Sequence, residues 1–280
     1  METDIRPLLD SDLPAALRLK ELAQWNQTED DWKRLLRLEP NGCFCATSNG
    51  AVVGTATTTI YGSALAWIGM VLVDPEHRRK GIATRLMEAA MNYLAGAGVA
   101  TVKLDATPSG KPIYQRLDFS EECLVERWAG TGLKSSSSGA SPAVSRQGEM
   151  LALDQEAFGT DRARLLKMLM NESWMEPRQT NDGDATTGFA MARPGTVANY
   201  VGPVIARDAN VARNLLDEML GQLMGQPVYI DLNTDFVHGR QILYERGFTK
   251  QRDLIRMSYG KRTDAGTSQL VFAIAGPELG

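Results

Sequence analysis

At 280 residues, with 30 Lys and Arg against 34 Asp and Glu and a net charge of −4, the chain is long enough for two compact domains and is not built as a general nucleic-acid binder. No apolar run reaches membrane-spanning length, and the acidic start Met1-Glu2-Thr3-Asp4 lacks the apolar core of a secretory signal, so neither a membrane nor a secreted setting is expected. Three Cys, two His, no Cys-x-x-Cys and no His-Glu-x-x-His leave no disulfide framework and no metal site to expect; Cys43 and Cys45 read as buried structural thiols, and a reducing cytoplasm fits best.

A short strand over 5–8 is followed by Asp10, Ser11 and Asp12, any of which can cap a helix carrying Ala15, Leu19 and Leu22, with Pro14 tolerated in its first turn. Thr28-Glu29-Asp30-Asp31 opens a second helix with Trp32, Leu35, Leu36 and Leu38, which stops near Pro40; acids at its start suit the helix dipole. A strand over 43–47, the hairpin signal Asn49-Gly50, a long Val- and Thr-rich strand over 51–61 and a returning strand over 65–73 come next. A helix over 82–94 has the apolar stripe Ile82, Leu86, Ala89, Ala90, Tyr93 and Leu94 and ends at Gly96 and Gly98. A strand over 100–106, a turn at Thr107-Pro108-Ser109-Gly110, a short helix over 112–117 and a closing strand over 123–128 complete an α/β layout.

Between strand and helix lies Val71-Leu72-Val73-Asp74-Pro75-Glu76-His77-Arg78-Arg79-Lys80-Gly81-Ile82-Ala83-Thr84. Three consecutive cations, then Gly and a small residue, at the first turn of a helix suit a bound polyphosphate: free backbone N–H groups and the helix dipole favour negative charge there. Gly81 lets the chain bend, and Arg78, Arg79 and Lys80 can give charge-assisted hydrogen bonds. With Arg78, Gly81 and Ala83 at the defined positions of Arg/Gln-x-x-Gly-x-Gly/Ala, the stretch resembles the acyl-CoA loop of the GNAT superfamily of N-acyltransferases. The element order over 3–130 is similar to the GNAT fold, a mixed, mostly antiparallel sheet flanked by helices.

The second half echoes the first. Trp67-Ile68-Gly69-Met70-Val71 parallels Tyr200-Val201-Gly202-Pro203-Val204, and 113–119 parallels 242–248, each followed at the same interval by an Arg, Arg127 and Arg256. The chain thus divides into a GNAT-like unit over 1–130, a Ser- and Gly-rich linker over 131–144, a degenerate GNAT-like unit over 145–261, and a tail over 262–280 whose apolar run 270–274 is expected to dock on a sheet edge. Gly-bearing 180–187 is expected to be a mobile loop. After Val204 no Arg-x-x-Gly-x-Ala occurs, the turn is shortened, and Asp208 would repel phosphate, so the second unit is expected to lack a CoA loop. Walling the cleft, binding the acceptor and forming a homodimer are all open to it.

The GNAT resemblance implies acetyl-CoA as cosubstrate and a primary amine of a small molecule or peptide as acceptor. It assigns acetyl-CoA binding to the main chain of Val71, Leu72 and Val73 and to Arg78, Arg79, Lys80, Gly81, Ile82, Ala83 and Thr84. A backbone N–H of the strand would polarise the thioester carbonyl. Tyr114, on the short helix, is the candidate general acid. The base stays open: Met70 stands where many members carry an acid, Asp105 is the nearest acid and could equally be a turn residue, and water or Glu29 could also serve. Trp25, Trp32 and Trp67 are core or acceptor-pocket residues. A non-catalytic acyl-CoA sensor or scaffold is the alternative.

Overall fold

The computed structural model describes residues 3–62, 64–134, 141–142, 146–172, 175–261 and 266–280. It forms two compact units. The first holds the described residues of Met1–Ser120, Met257–Thr263 and Glu278–Gly280, the second those of Glu121–Arg256 and Asp264–Pro277.

The first unit runs β1 (Thr3–Pro7), α1 (Leu13–Leu22), α2 (Glu29–Leu38), β2 (Phe44–Ser48), β3 (Ala51–Tyr61), β4 (Leu65–Val73), α3 (Ile82–Gly96), β5 (Thr101–Ala106) and α4 (Lys111–Gln115). Local chemistry sets several of these bounds. Thr28 Oγ1 accepts from the Asp31 N–H while the Asp31 carboxylate accepts from the Thr28 N–H, a capping box that starts α2. Asn49 and Gly50 take φ values of 50° and 80°, the primed turn that joins twisted antiparallel strands. Gly98, at φ 76°, stops the chain just beyond α3. Strands β1, β2, β3 and β4 pair antiparallel in that order, and β4 pairs parallel with β5. Ala46, Val53, Ala56, Ile82 and Leu86 form a buried cluster where α3 lies on the sheet.

The second unit contains most of β6 (Ser120–Thr131), then β7 (Ser141–Pro142), α5 (Gln147–Phe158), α6 (Ala163–Glu172), β8 (Arg178–Asp182), β9 (Ala185–Arg193), β10 (Asn199–Ala206), α7 (Ala209–Gln222), β11 (Pro227–Asn233), α8 (Gly239–Glu245), most of β12 (Thr249–Gly260), and β13 (Val271–Ala273). Antiparallel pairs link β7 to β8, β8 to β9, and β9 to β10. Its core gathers Val201, Val204, Leu215, Leu216, Met219, Ile230, Leu232, Phe248 and Phe272. Arg127, matched by spacing to Arg256, makes a bidentate pair with buried Asp231 at 2.8 and 2.6 Å, a structural use of its charge.

Three segments differ from their sequence-based expectation. The closing strand expected over 123–128 is the longer β6, and its later part pairs with β11, from Val125 opposite Asn233 to Thr131 opposite Pro227. Residues 180–187 form a β-hairpin, not a mobile loop: Asp182 pairs with Ala185 around Gly183 at φ 57°, and Gln179, Thr180 and Thr186 are buried. The run at 270–274 docks inside the sheet rather than on its edge, because β13 lies between β10 and β11. Of the Ser- and Gly-rich linker, 135–140 and 143–145 lie outside the described residues.

Candidate functional site

Strand β4 loses its neighbour half-way along. Its parallel ladder with β5 covers only Leu65, Ala66 and Trp67 against Thr101, Val102 and Lys103. On the other side, β3 stays paired, but its register slips so that Met70 and Val71 stand opposite Ala56 alone. Met70 takes a φ of 50° in this bulge, and its carbonyl accepts a 2.8 Å hydrogen bond from Thr55 Oγ1. A bulge increases local twist and re-aims the strand. Past Trp67, β5 pairs with no residue of β4 among the described residues, so the β5 side of the stretch Val71, Leu72 and Val73 is one that an extended ligand rich in amides can line as a strand would.

That edge leads into the cationic turn. Asp74 anchors it: one carboxylate oxygen accepts from the Glu76 N–H at 3.0 Å, the other pairs with Arg18 of α1 at 2.8 Å, and His77 Nδ1 lies 3.7 Å away. Burial works to raise the Asp74 carboxyl, but Arg18, the Glu76 N–H and His77 together hold it below the ordinary value of 3.8. Arg78 Nε donates to the Val73 carbonyl at 3.2 Å and Lys80 Nζ to the Glu76 carbonyl at 3.1 Å, which ties the basic side chains over the loop. Arg79 and Gly81 take φ values of 62° and 75°. Gly81 is the N-cap of α3, no side chain caps it, and a Cβ added there would meet nothing within 4 Å. The first N–H groups of a 15-residue helix therefore face open space beside exposed Arg78, Arg79 and Lys80, with Ile82 buried and Ala83 and Thr84 half-buried on the first turn. Such a helix start suits an anionic, phosphate-bearing ligand.

Tyr114 is buried on α4, its ring edge-on to Phe119 at 6.2 Å, and burial pushes its phenol up to about 12. Asp105 is half-buried on β5, beyond the part of that strand that pairs with β4. Glu29 is turned to solvent and pairs with Lys33 at 2.7 Å, so it is not an acid reaching inward. Trp32 and Trp67 are core residues, fully buried, while Trp25 is half-buried. Burial raises the Cys43 and Cys45 thiols to about 12 and about 11, which makes them poor nucleophiles. Among the described residues, no group of three or more His, Cys, Asp or Glu side chains could hold a metal ion, and no helix is long and apolar enough to cross a membrane.

The second unit repeats the plan with both features closed. Its parallel ladder between β10 and β11 covers only Asn199 and Tyr200 against Val228 and Tyr229. Past that point β13 fills the opening, with Ala273 opposite both Val204 and Leu232. Gly202 permits this: a Cβ there would stand 2.2 Å from the Ile274 carbonyl oxygen. At the start of α7 the Asp208 carboxylate accepts from the Asn210 and Val211 N–H groups at 2.8 and 2.9 Å, where α3 has uncapped Gly81. Arg207 is committed to a bidentate pair with Glu156.

Family models decide what this geometry belongs to. An acetyltransferase (GNAT) family model matches residues 4–119, and a second acetyltransferase (GNAT) domain model matches 150–273. The chain belongs to the GNAT superfamily. It is a tandem GNAT protein, an α/β chain of two units with mixed, mostly antiparallel sheets flanked by helices. YitH of Bacillus subtilis strain 168, an uncharacterized N-acetyltransferase, is 25% identical over 272 residues, covering 94% of both chains. The alanine N-acetyltransferase of ribosomal protein bS18 from Escherichia coli K12 is 28% identical over 129 residues, 43% of this chain and 82% of its own. A solved structure from Pyrococcus horikoshii, described as a candidate acetyltransferase, superposes with a TM-score of 0.87 at 19% identity over 99% of this chain and 96% of that one.

Sequence reasoning missed the supports of the GNAT site. Asp74 before Pro75 is a recognisable cap signal, although its partner Arg18 is not. The approach of Glu278 to Gly69, where a Cβ would stand 2.7 Å from Glu278 Cα, carries no local signal at all.

Proposed function

We propose that the first GNAT unit moves an acetyl group from acetyl-CoA to a primary amine of a small molecule or peptide. The observation that carries this is the opening between β4 and β5 leading directly to the uncapped start of α3. In this reading the pantetheine amides pair with main-chain groups of Val71, Leu72 and Val73, and the phosphates rest on Arg78, Arg79, Lys80, Gly81, Ile82, Ala83 and Thr84. A main-chain N–H beyond the Met70 bulge polarises the thioester carbonyl. Tyr114, kept neutral by burial, gives its proton to the departing sulfur. Asp105 stands on the strand across the opening and is one acid available to it. The bS18 relative, named for an alanine amine, supports an amine acceptor. Three free cysteines suit a reducing cytoplasm.

The test is thermal stabilisation by acetyl-CoA together with thiol release over a panel of primary amines. Stabilisation with amine-dependent thiol release is the expected result. Stabilisation without turnover across the panel would replace the enzyme by an acyl-CoA sensor, and no stabilisation would remove acetyl-CoA from this site.

A further inference from the structure

We propose that Glu278, carried into the first unit by the last segment of the sequence, is the base that deprotonates the acceptor, and that Glu278, Gln27, Thr57 and Thr59 form the seat of its primary ammonium group. This rests on the acetyl-transfer reading above.

On β4, Met70 stands where an acid would serve, and a carboxylate reaches the same place from more than 200 residues away. A Cβ on Gly69 would lie 2.7 Å from Glu278 Cα, 2.8 Å from its Cβ and 3.0 Å from its carbonyl oxygen, so Glu278 lies directly over β4 one residue before the bulge. Only glycine leaves that room. Glu278 is 3% exposed, and its carboxylate accepts from Gln27 Nε2 at 2.7 Å. The next residue is pinned as well, because the Leu279 carbonyl accepts from Tyr61 Oη at 2.8 Å. A buried carboxylate oriented by Gln27, on a segment pinned by Tyr61, beside the splayed edge of β4 is in position to meet an amine approaching the thioester.

Unsatisfied side-chain oxygens lie on the same face of the sheet. Thr57 is opposite Gly69 and Thr59 opposite Trp67 in the β3–β4 ladder, so both side chains share the face onto which Gly69 opens. Thr57 Oγ1, Thr59 Oγ1 and Gln27 Oε1 are all buried with no hydrogen-bond partner among the described residues. Buried oxygens are ordinarily satisfied, and an unpaired cluster of them marks a place for something that donates. A primary ammonium brings three N–H donors and a positive charge to meet one carboxylate and three neutral oxygens. A quaternary ammonium brings the charge and no donor.

The proton balance is then complete. Glu278 takes one proton from the ammonium and passes it to solvent. The freed nitrogen lone pair forms the N–C bond to the thioester carbonyl carbon, and the C–S bond breaks with its electron pair on sulfur. Tyr114 gives its phenolic proton to that sulfur. Glu278 removes the second, now acidic, proton from nitrogen, and solvent returns one to Tyr114, so each turnover yields an amide, a thiol and one released proton.

The experiment compares wild type with Glu278→Gln, Asp105→Asn and Thr57→Val, each close to isosteric. The probes are acetyl-CoA with n-butylamine, phenethylamine and a peptide beginning in alanine, with tetramethylammonium as the donor-free control. Thiol release is followed between pH 5.5 and 9.5, and melting is followed with acetyl-CoA alone and with each amine alone. E278Q is expected to lose about 100-fold in kcat, the scale of a general base. Its acidic limb should vanish, with rates following the amine's own deprotonation, while acetyl-CoA still stabilises it as it does wild type. T57V is expected to raise the amine KM several-fold with little change in kcat. The primary amines, and not tetramethylammonium, should stabilise wild type and fail to stabilise E278Q. The proposal is overturned if E278Q keeps wild-type kcat and pH profile, if D105N rather than E278Q loses the acidic limb, or if tetramethylammonium stabilises as well as the primary amines. Absence of acetyl-CoA stabilisation in wild type would refute the acetyl-transfer reading, while the amine melts would still judge the ammonium seat. Acetyl-CoA stabilisation without turnover on any of the three amines would refute the base.

Discussion

Gly81 combines two requirements that no other residue meets together. Its φ of 75° costs an L-residue about 1–2 kcal/mol, and its missing side chain leaves the start of α3 uncapped. In Gly81→Asp the strain is partly offset, because Asp is a good N-cap and contributes about 1 kcal/mol. We therefore expect G81D to melt within a few degrees of wild type yet lose all stabilisation by acetyl-CoA, since its carboxylate takes the N–H groups proposed to hold phosphate. Arg78→Glu should lose it too. Melting curves with and without acetyl-CoA check both, and undiminished stabilisation in either would dismiss this loop as the binding site. At Tyr114 the expectation runs the other way. Removing a buried, neutral phenol in Tyr114→Phe should slow thiol release about 100-fold and leave acetyl-CoA stabilisation in place. Equal losses in binding and rate would mean that Tyr114 only packs against Phe119.

The turn between β4 and α3 is an element held by one carboxylate, and its pH dependence follows from that. Asp74 has a folded value below 3.8, so its stabilising pair with Arg18 and its bond to Glu76 are fully present above about pH 3.8 and are lost as pH falls through the lower folded value. Asp74→Asn should cost about 2 kcal/mol at pH 7, the scale of a charge-assisted hydrogen bond, and this gap to wild type should close as pH falls below 3.8 through the lower folded value. A gap that persists in acid would point to packing rather than charge. The Arg78-to-Ala83 pattern, the Thr28 capping box and the Asn49-Gly50 turn were legible in the sequence because each is written in neighbouring residues. The Met70 bulge was not, because it depends on how β3 registers against β4. Nor was the place of β13: an apolar run such as Val271-Phe272-Ala273 reads the same on a sheet edge as between two strands, and the room that admits it is left by Gly202, far away in sequence.

The two units solve one architectural problem in opposite ways. In each, a parallel strand pair parts after two or three residues and leaves an opening that exposes main-chain groups, which must find partners. The second unit satisfies them with its own β13 and closes the adjoining helix start with Asp208. In the proposed reading the first leaves the opening and the helix start to acetyl-CoA. That reading predicts one acetyl-CoA per chain, and calorimetric titration should give that stoichiometry for wild type. Asp208→Ala sharpens the point. It uncaps α7 at a cost of about 1 kcal/mol, but β13 still occupies the slot that a pantetheine arm would need, and Arg207 still pairs with Glu156. The stoichiometry should stay at one and the affinity should not move, whereas two molecules bound per chain, in either protein, would mean that the second unit binds acetyl-CoA despite its closed strands.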